Sequence, residues 1–581
     1  MIERARRGPS AGVAALAAAS VALFLISRGK WSDAIIDSGS EWIYPDSIAR
    51  GGLLYRDVVY WFGPFTPYFH AGFFRLLGSS FQTLVVSGVV GSLGALAALF
   101  LALRRVTGKR EAALWTALAV PALVFMPNSG GSILGMGYRS WHPAAFALAA
   151  VGVASRPSSL RRPLATPVAA GALCALAALC RTEWGLVAAA AVLASYAKRD
   201  GIRRPFLRDA LAAGSAFVVL TAGVLAGFAW AAGRKAVLAD GHLLLTRVPE
   251  ETRTFLIRFS GILEWRRGML ELLYSAGTWI GAVLLLYVVA IGRTDPARVR
   301  RKLPWLAATV LLLLSGAALG GAGGAVLFSA APLVCALAIA VGLSGSSGSS
   351  GSLVGFGLAG LLFFHRRPFH IVDGAYVAPP LLFAFVCAAA LVQWLLDREA
   401  DFSTRERFRS LATAGVLLLI ALAFAGRAAQ YRSDERVPIP GTEGMLSARP
   451  DLVSRLTALA RLVRRESAPG EGLVVFPEGA VVNYLSGRPN ALRHKLYIPG
   501  YLTEENEGEV LAELGRSPPG VIVVLDRPTS EYGRAVFGAD YGKRIRRWID
   551  EHYDVLTRSS SDPTSRRLQA WAVVAVRKGR R

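Results

Sequence analysis

Apolar runs of roughly 17 to 25 residues recur along most of the chain, separated by short polar and basic connections, and a helix of that length spans the hydrocarbon core of a bilayer. About thirteen such runs are predicted as spanning helices. They centre on residues 11–27, 81–103, 111–126, 141–154, 164–180, 184–197, 209–232, 269–291, 303–319, 324–343, 353–365, 377–396 and 410–428. Some are short or broken by glycine. The first follows "MIERARRG" without a clear small-residue cleavage site, so it is expected as a retained anchor. Near residue 431 the pattern changes. "DLVSRLTALARLVRRES" has the period of an amphipathic helix. "GLVVF", "GVIVVL" and "AWAVVAV" read as short buried strands, with helices near 504–515 and 540–552 between them. Strands alternating with helices predict a small α/β domain over 431–581, long enough for a core of its own.

Composition supports the membrane assignment. Of 581 residues, 53% are hydrophobic, and mean hydropathy is +0.42, too apolar for an ordinary soluble protein. The net charge of +25 would suggest nucleic acid in a soluble chain. Here the cations cluster between apolar runs, as topology determinants do, and no nucleic-acid-binding module is present. With the N-terminus in the cytoplasm, the inner connections are "RRVTGKR", "SRPSSLRRP", "AKRDGIRRPFLR", "GRTDPARVRRK", "GLSGSSGSSGS" and "DREADFSTRERFR". Five of these six are rich in Lys and Arg, whereas the short outer ones are poor in them. This orientation places loops 28–80 and 233–268, the loop "HRRPFHIVDGAY" and the C-terminal domain outside. The Gly/Ser run 344–352 is expected as a flexible inner linker. Cys174, Cys180, Cys335 and Cys387 all fall in apolar runs without zinc spacing, so neither disulfides nor a zinc site is expected.

The first outer loop holds the densest acidic cluster: Asp37, Glu41, Asp46 and Asp57, with Asp33 just upstream. "PDSIARGG" predicts one or two helical turns begun by Pro45 and ended by Gly51. "GPFTPYFHAGFFRLLG" has helical apolar spacing and is expected along the membrane surface. A carboxylate at such a place is partly desolvated, which makes it a better base; Asp37 is best placed.

The stretch D-S-G-S-E…P-D-S-I-A-R-G-G-L-L-Y-R-D-V-V-Y…G-P-F-T-P-Y-F-H-A…F-R-L-L-G resembles the GT-C membrane glycosyltransferases. The resemblance is to the bacterial branch related to protein O-mannosyltransferases and lipid A aminoarabinose transferases. Members carry an Asp just after the first helix, then G-x-x-x-Y-x-D, then a Pro-rich amphipathic helix ending in L-G. Asp37 falls on the first Asp, and Tyr55, Arg56 and Asp57 on the second segment. Relatives often have a paired acid where Ser38 follows Asp37 here, so the second acid is open among Glu41, Asp46 and Asp57. The resemblance implies a polytopic helical GT-C fold with an extracytoplasmic α/β domain, in a bacterial inner membrane. It implies an inverting glycosyltransferase with a polyprenyl-phosphate-sugar donor and a glycan, lipid or protein acceptor. Asp37 would be the base, with Asp57 and Glu41 as candidate second acids. No cofactor is required, though a divalent metal is possible, and no nucleotide-binding loop is needed.

Such a transfer also needs cations for the leaving phosphate. Outer candidates are Arg181 and Glu183 in "CRTEWG", with Tyr138, Arg139 and His142 in "GMGYRSWHP". "HRRPFHIVDGAYVAPP" adds His365, Arg366, Arg367, His370 and Tyr376, in a Tyr-then-Pro helix entry that resembles a late outer loop of the same families near the donor phosphate. Loop 233–268 adds Arg247, Arg253, Arg258, Arg266 and Arg267. Arg181–Glu183 also reads as a simple ion pair, and each histidine as an interfacial residue. In "FPEGAVVNYLSGRPN", Pro477, Tyr484, Gly487 and Arg488 are expected to shape a loop after a strand, with acceptor contact as the alternative. A transporter or flippase is the first competing class, but it would show internal repeats and charges in mid-span. A non-catalytic envelope scaffold, the second, would not need Asp37 opposite outer arginines.

Overall fold

The computed structural model describes residues 8–126, 138–156, 164–200, 203–240, 248–260, 262–291, 304, 329–345, 350–364, 378–556 and 571–579. Helices α1 (Gly8–Ser27), α2 (Ser38–Ala49), α3 (Phe65–Leu77) and α4 (Phe81–Val106) come first. They are followed by α5 (Lys109–Ala119, prolonged by a π-helical turn Val120–Val124), α6 (Tyr138–Ala154), α7 (Ala165–Cys180), α8 (Thr182–Asp200) and α9 (Arg204–Ala232). Then come α10 (Arg234–Asp240), α11 (Glu250–Phe259), α12 (Trp265–Ile291), α13 (Ala331–Ser344), α14 (Ser350–Phe363), α15 (Ala378–Arg398) and α16 (Phe402–Arg432). Each predicted apolar run lies largely on a helix except 303–319, of which only residue 304 is described; residues 324–328 of the next run also lie outside the described residues. Ser350–Ser352 of the predicted Gly/Ser linker form the first turn of α14 instead.

The chain is a polytopic helical membrane protein with a small C-terminal sheet domain. Two kinds of helix follow from composition. In α9 and α16 only 6% of the most apolar window is buried, so Leu211, Val219 and Leu418 face lipid. The inner helices α6, α7, α8, α13 and α14 approach one another through small residues. A Cβ on Gly171 would stand 2.0 Å from the Ala213 carbonyl oxygen, and one on Gly355 2.0 Å from Ser195 Oγ. All four cysteines are free and buried, on α7, α13 and α15.

The C-terminal domain follows Arg432. A two-residue ladder pairs β1 (Val437–Pro438) with β2 (Ser447–Ala448). After α17 (Pro450–Glu466), a four-stranded sheet has the order β3 (Leu473–Phe476), β4 (Val521–Leu525), β6 (Ala572–Arg577), β5 (Tyr553–Val555). β3 and β4 are parallel, and the other pairs are antiparallel. Helices α18 (Val481–Ser486), α19 (Glu504–Arg516) and α20 (Lys543–His552) connect the strands. The three predicted strands are present; β5 was not legible.

The C-terminal domain has a core of its own on one face of its sheet and shares a second core on the other. Alternate residues of a strand face opposite ways. Val474, Phe476, Ile522, Val524 and Ala575 pack with Val510, Ile545 and Ile549 of α19 and α20. Leu473, Val475, Val521, Val523, Val574 and Val576 belong to the large cluster that also holds Trp42, Tyr44, Leu84 and Tyr138. One face of the sheet is therefore buried in common with the loop and the membrane helices.

Hydrogen bonds tie the first loop to this domain. Arg436 donates to the Lys30 carbonyl at 2.6 Å and the Ser32 carbonyl at 3.2 Å. Lys30 Nζ donates to the carbonyls of Tyr431 (3.1 Å) and Asp434 (2.6 Å). Arg493 donates to the Tyr55 (2.9 Å) and Arg56 (2.7 Å) carbonyls. Trp61 stacks on Tyr501 at 3.7 Å. Helix α11, in loop 233–268, docks on the same domain: Phe255 stacks on Tyr532 at 4.7 Å and Glu251 pairs with Arg534 at 3.8 Å. Both long loops and the C-terminal domain thus lie on one side.

Gly39 on α2 lies against the C-terminal domain, and a Cβ there would stand 2.5 Å from the Val481 backbone nitrogen. Gly39→Ala is expected to cost on the order of 1–3 kcal/mol through this overlap. A thermal melt of the purified protein should show a lowered Tm, with faster tryptic cleavage after Arg432. An unchanged Tm and cleavage rate would contradict the docking.

Candidate active site between the first loop and the C-terminal domain

The acidic loop is more ordered than its sequence suggests. Helix α2 starts at Ser38, seven residues before the predicted start at Pro45, which lies inside the helix. It ends before Gly51, at φ +102°. Asp33 opens the loop: its Oδ1 accepts from the Ile35 (2.7 Å) and Ile36 (2.8 Å) amides. Asp37 stands at the N-cap, where its carbonyl accepts from the Glu41 amide at 3.0 Å and the Ser40 hydroxyl at 2.8 Å. Glu41 is 6% exposed and lies near the neutral Tyr138 phenol at the head of α6. Asp46 is taken up by Arg50 at 2.8 Å.

Tyr55, Arg56 and Asp57 form a tight turn. Tyr55 is fully buried at φ +70°, and its hydroxyl donates to the Phe62 carbonyl at 2.8 Å. Asp57 Oδ2 accepts from the Leu53 amide at 2.9 Å, and Arg56 pairs with the same oxygen at 2.8 Å. The hydrogen bond from Arg56 holds the Asp57 carboxyl below its ordinary range. That favours the ion and makes a weak base. Arg56 itself is 57% exposed, so its pairing with Asp57 is easily exchanged for another anion.

Arg181 is buried. It pairs with Glu183 at 2.6 Å, points Nη1 at Ser140 Oγ (3.4 Å) and lies over the Phe62 ring at 4.9 Å. Phe62 in turn meets Tyr60, and Tyr60 meets Tyr44 on α2. His142 takes Nδ1 to Thr66 Oγ1 at 3.2 Å, and its ring lies 5.4 Å from that of His70, which bonds Ser87 at 2.6 Å. Loop, α6 and α7 thus meet at one place. The side chain of Arg139, together with His365, Arg366, Arg367, His370 and Tyr376, lies outside the described residues. Among the described residues no group of three His, Cys, Asp or Glu side chains could hold a metal ion.

The C-terminal domain brings residues that sequence reasoning missed. Glu478 is 5% exposed beside Arg527, whose Nε is 3.3 Å from Glu478 Oε2, and close enough to Asp37 and Asp33 to feel their charge. Lys495 is buried, donates to the Leu492 carbonyl at 2.5 Å and feels Glu513, Asp46 and Asp57. A Glu between Pro477 and Gly479, at the end of a buried strand, was the visible signal for the first. In the same stretch Tyr484 packs on Trp42, and Arg488 caps the Ser467 carbonyl at 2.7 Å.

Burial lowers the Lys495 pKa from 10.5 to about 8. The folded state then binds fewer protons than the unfolded chain between those values, so stability rises with pH across that window. Tm measured from pH 7 to 10.5 is expected to climb for the wild type relative to Lys495→Met. Parallel curves would contradict a buried, depressed lysine.

No protein-family profile matches the chain, and a search of curated proteins finds no match. Solved structures do match. ArnT from Cupriavidus metallidurans bound to undecaprenyl phosphate superposes over 98% of this chain and 98% of its own, with TM-score 0.53 and 12% identity. The Archaeoglobus fulgidus oligosaccharyltransferase tethered with an acceptor peptide containing the NVT sequon covers 89% of this chain and 69% of its own, with TM-score 0.48 and 15% identity. The fold is therefore like that of ArnT.

Proposed function

We propose that this chain, which has a GT-C-like fold, is a membrane glycosyltransferase that moves a sugar from a polyprenyl-phosphate donor to an envelope acceptor. The observation that carries the reading is the full-length likeness to ArnT, a protein solved with undecaprenyl phosphate. The ordered acidic loop supports it independently. In this reading the site-bearing side faces outward and the N-terminus is cytoplasmic, as the charge alternation argues.

Asp37 is the general base. It takes the proton of the acceptor hydroxyl as that oxygen attacks the anomeric carbon. The new C–O bond forms on the face opposite the phosphate while the sugar–phosphate bond breaks, which inverts the centre and releases polyprenyl phosphate. Arg56 is the readiest cation for that phosphate, because its exposed pair with Asp57 costs little to exchange. Arg181 is a second, held in place by Glu183 and Phe62. Arg139, His142, Arg367, His370 and Tyr376 complete the candidate donor side. Glu41 is the better placed second acid of the loop, since it is buried beside Tyr138 while Asp57 is committed to a turn. Tyr55 shapes the turn that presents Arg56.

Proteoliposomes supplied with a panel of undecaprenyl-phosphate-linked hexoses and pentoses, plus an envelope extract as acceptor, test this. Release of undecaprenyl phosphate is expected from the wild type and is expected to fall about 10²–10⁴-fold in Asp37→Asn. Donor binding should stay within a few fold. Undiminished release in Asp37→Asn overturns the base assignment, and no consumption of any donor overturns the enzyme reading.

A further inference from the structure

The loop after β3 reaches from the C-terminal domain into the acidic site. Three contacts fix its course. The Tyr497 amide donates to the Pro477 carbonyl at 2.9 Å, and the Val482 amide to the Gly479 carbonyl at 2.9 Å. Ala480 and Val481 lie against Gly39, where no side chain fits. Between them Glu478 is 5% exposed. Its Oε2 has no hydrogen-bond partner among the described residues, and neither has Arg527 Nε, which is 3.3 Å away but misaligned. Arg527 spends Nη1 on Glu531 at 2.6 Å. The charged and titratable groups that face Glu478 are therefore Arg527, Glu531 and Tyr541 from its own domain, and Asp33 and Asp37 from the first loop.

We propose that Glu478 is a positioning residue for Asp37: the C-terminal domain brings a further buried carboxyl, with an unfilled acceptor, beside the loop that carries the base. The inference rests on the reading of Asp37 as the base. A buried carboxyl left with an unfilled acceptor is costly as an anion. One cation divided between two glutamates compensates only part of that cost. Burial pushes Glu478 well above the ordinary carboxyl range, and Asp37 and Asp33 push it further, against the pull of Arg527. Carboxyls that interact in this way titrate as a pair. A proton held on Glu478 leaves no second negative charge beside Asp37.

Infrared difference spectroscopy on the full chain in nanodiscs reads the protonated carboxyl directly, without donor or acceptor. The wild type is expected to show a carboxylic-acid C=O band that persists at neutral pH and titrates above it. Glu478→Gln should abolish the band, and Glu478→Asp should restore it. Asp37→Asn should keep the band and lower its titration midpoint, because a neighbouring negative charge has gone. A wild type with no such band at neutral pH overturns the proposal. So does a midpoint unmoved by Asp37→Asn, which would make Glu478 merely structural. If the band and its shift appear while no undecaprenyl-phosphate sugar is consumed, the coupling stands and the glycosyltransferase reading fails.

Discussion

Everything at the candidate site depends on one docking: the acidic loop 28–61 is clamped between the membrane helices and the C-terminal domain. Loop backbone carbonyls would be left unpaired by such burial, and an unpaired buried carbonyl is costly. Arg436, Lys30 and Arg493 answer this by donating charged hydrogen bonds to carbonyls across the boundary. Each bond of that kind is worth roughly 1.5–3 kcal/mol. The sheet then shares one of its faces with the loop's core, so the two regions are buried together. The consequence is an acidic site buried between the helical bundle and the C-terminal domain.

Much of this was legible in the chain. The spanning helices follow from long apolar runs, and small residues in the inner ones predict close packing. Three strands of the C-terminal sheet were visible as short β-branched runs, while β5 was not, because Tyr553–Val555 continues a helix whose end carries no glycine. The start of α2 was misread for a related reason. Pro45 usually marks a first turn, but here it lies inside the helix, where Trp42, Ile43 and Tyr44 are buried.

The site was legible in its loop half alone. Asp37, Glu41, Arg56 and Asp57 stand out as charges in an apolar context, but their ranking needed geometry. Asp57 is a turn former held by Arg56 and the Leu53 amide, whereas Glu41 is buried. Glu478, Lys495 and Arg493 could not be linked to Asp37, Asp46 or Tyr55 from the sequence, because the link is a contact between distant segments. Their local patterns look like ordinary loop residues of a soluble domain.

The central proposal is that the acidic loop receives a lipid-linked phosphate. A cryo-EM map of the full-length protein in nanodiscs with undecaprenyl phosphate tests it most directly. The account predicts phosphate density within reach of Asp37, on the side shared by Arg56 or Arg181, with the prenyl chain running down between the helices. Phosphate density on the opposite membrane face, or none at saturating undecaprenyl phosphate, would contradict it.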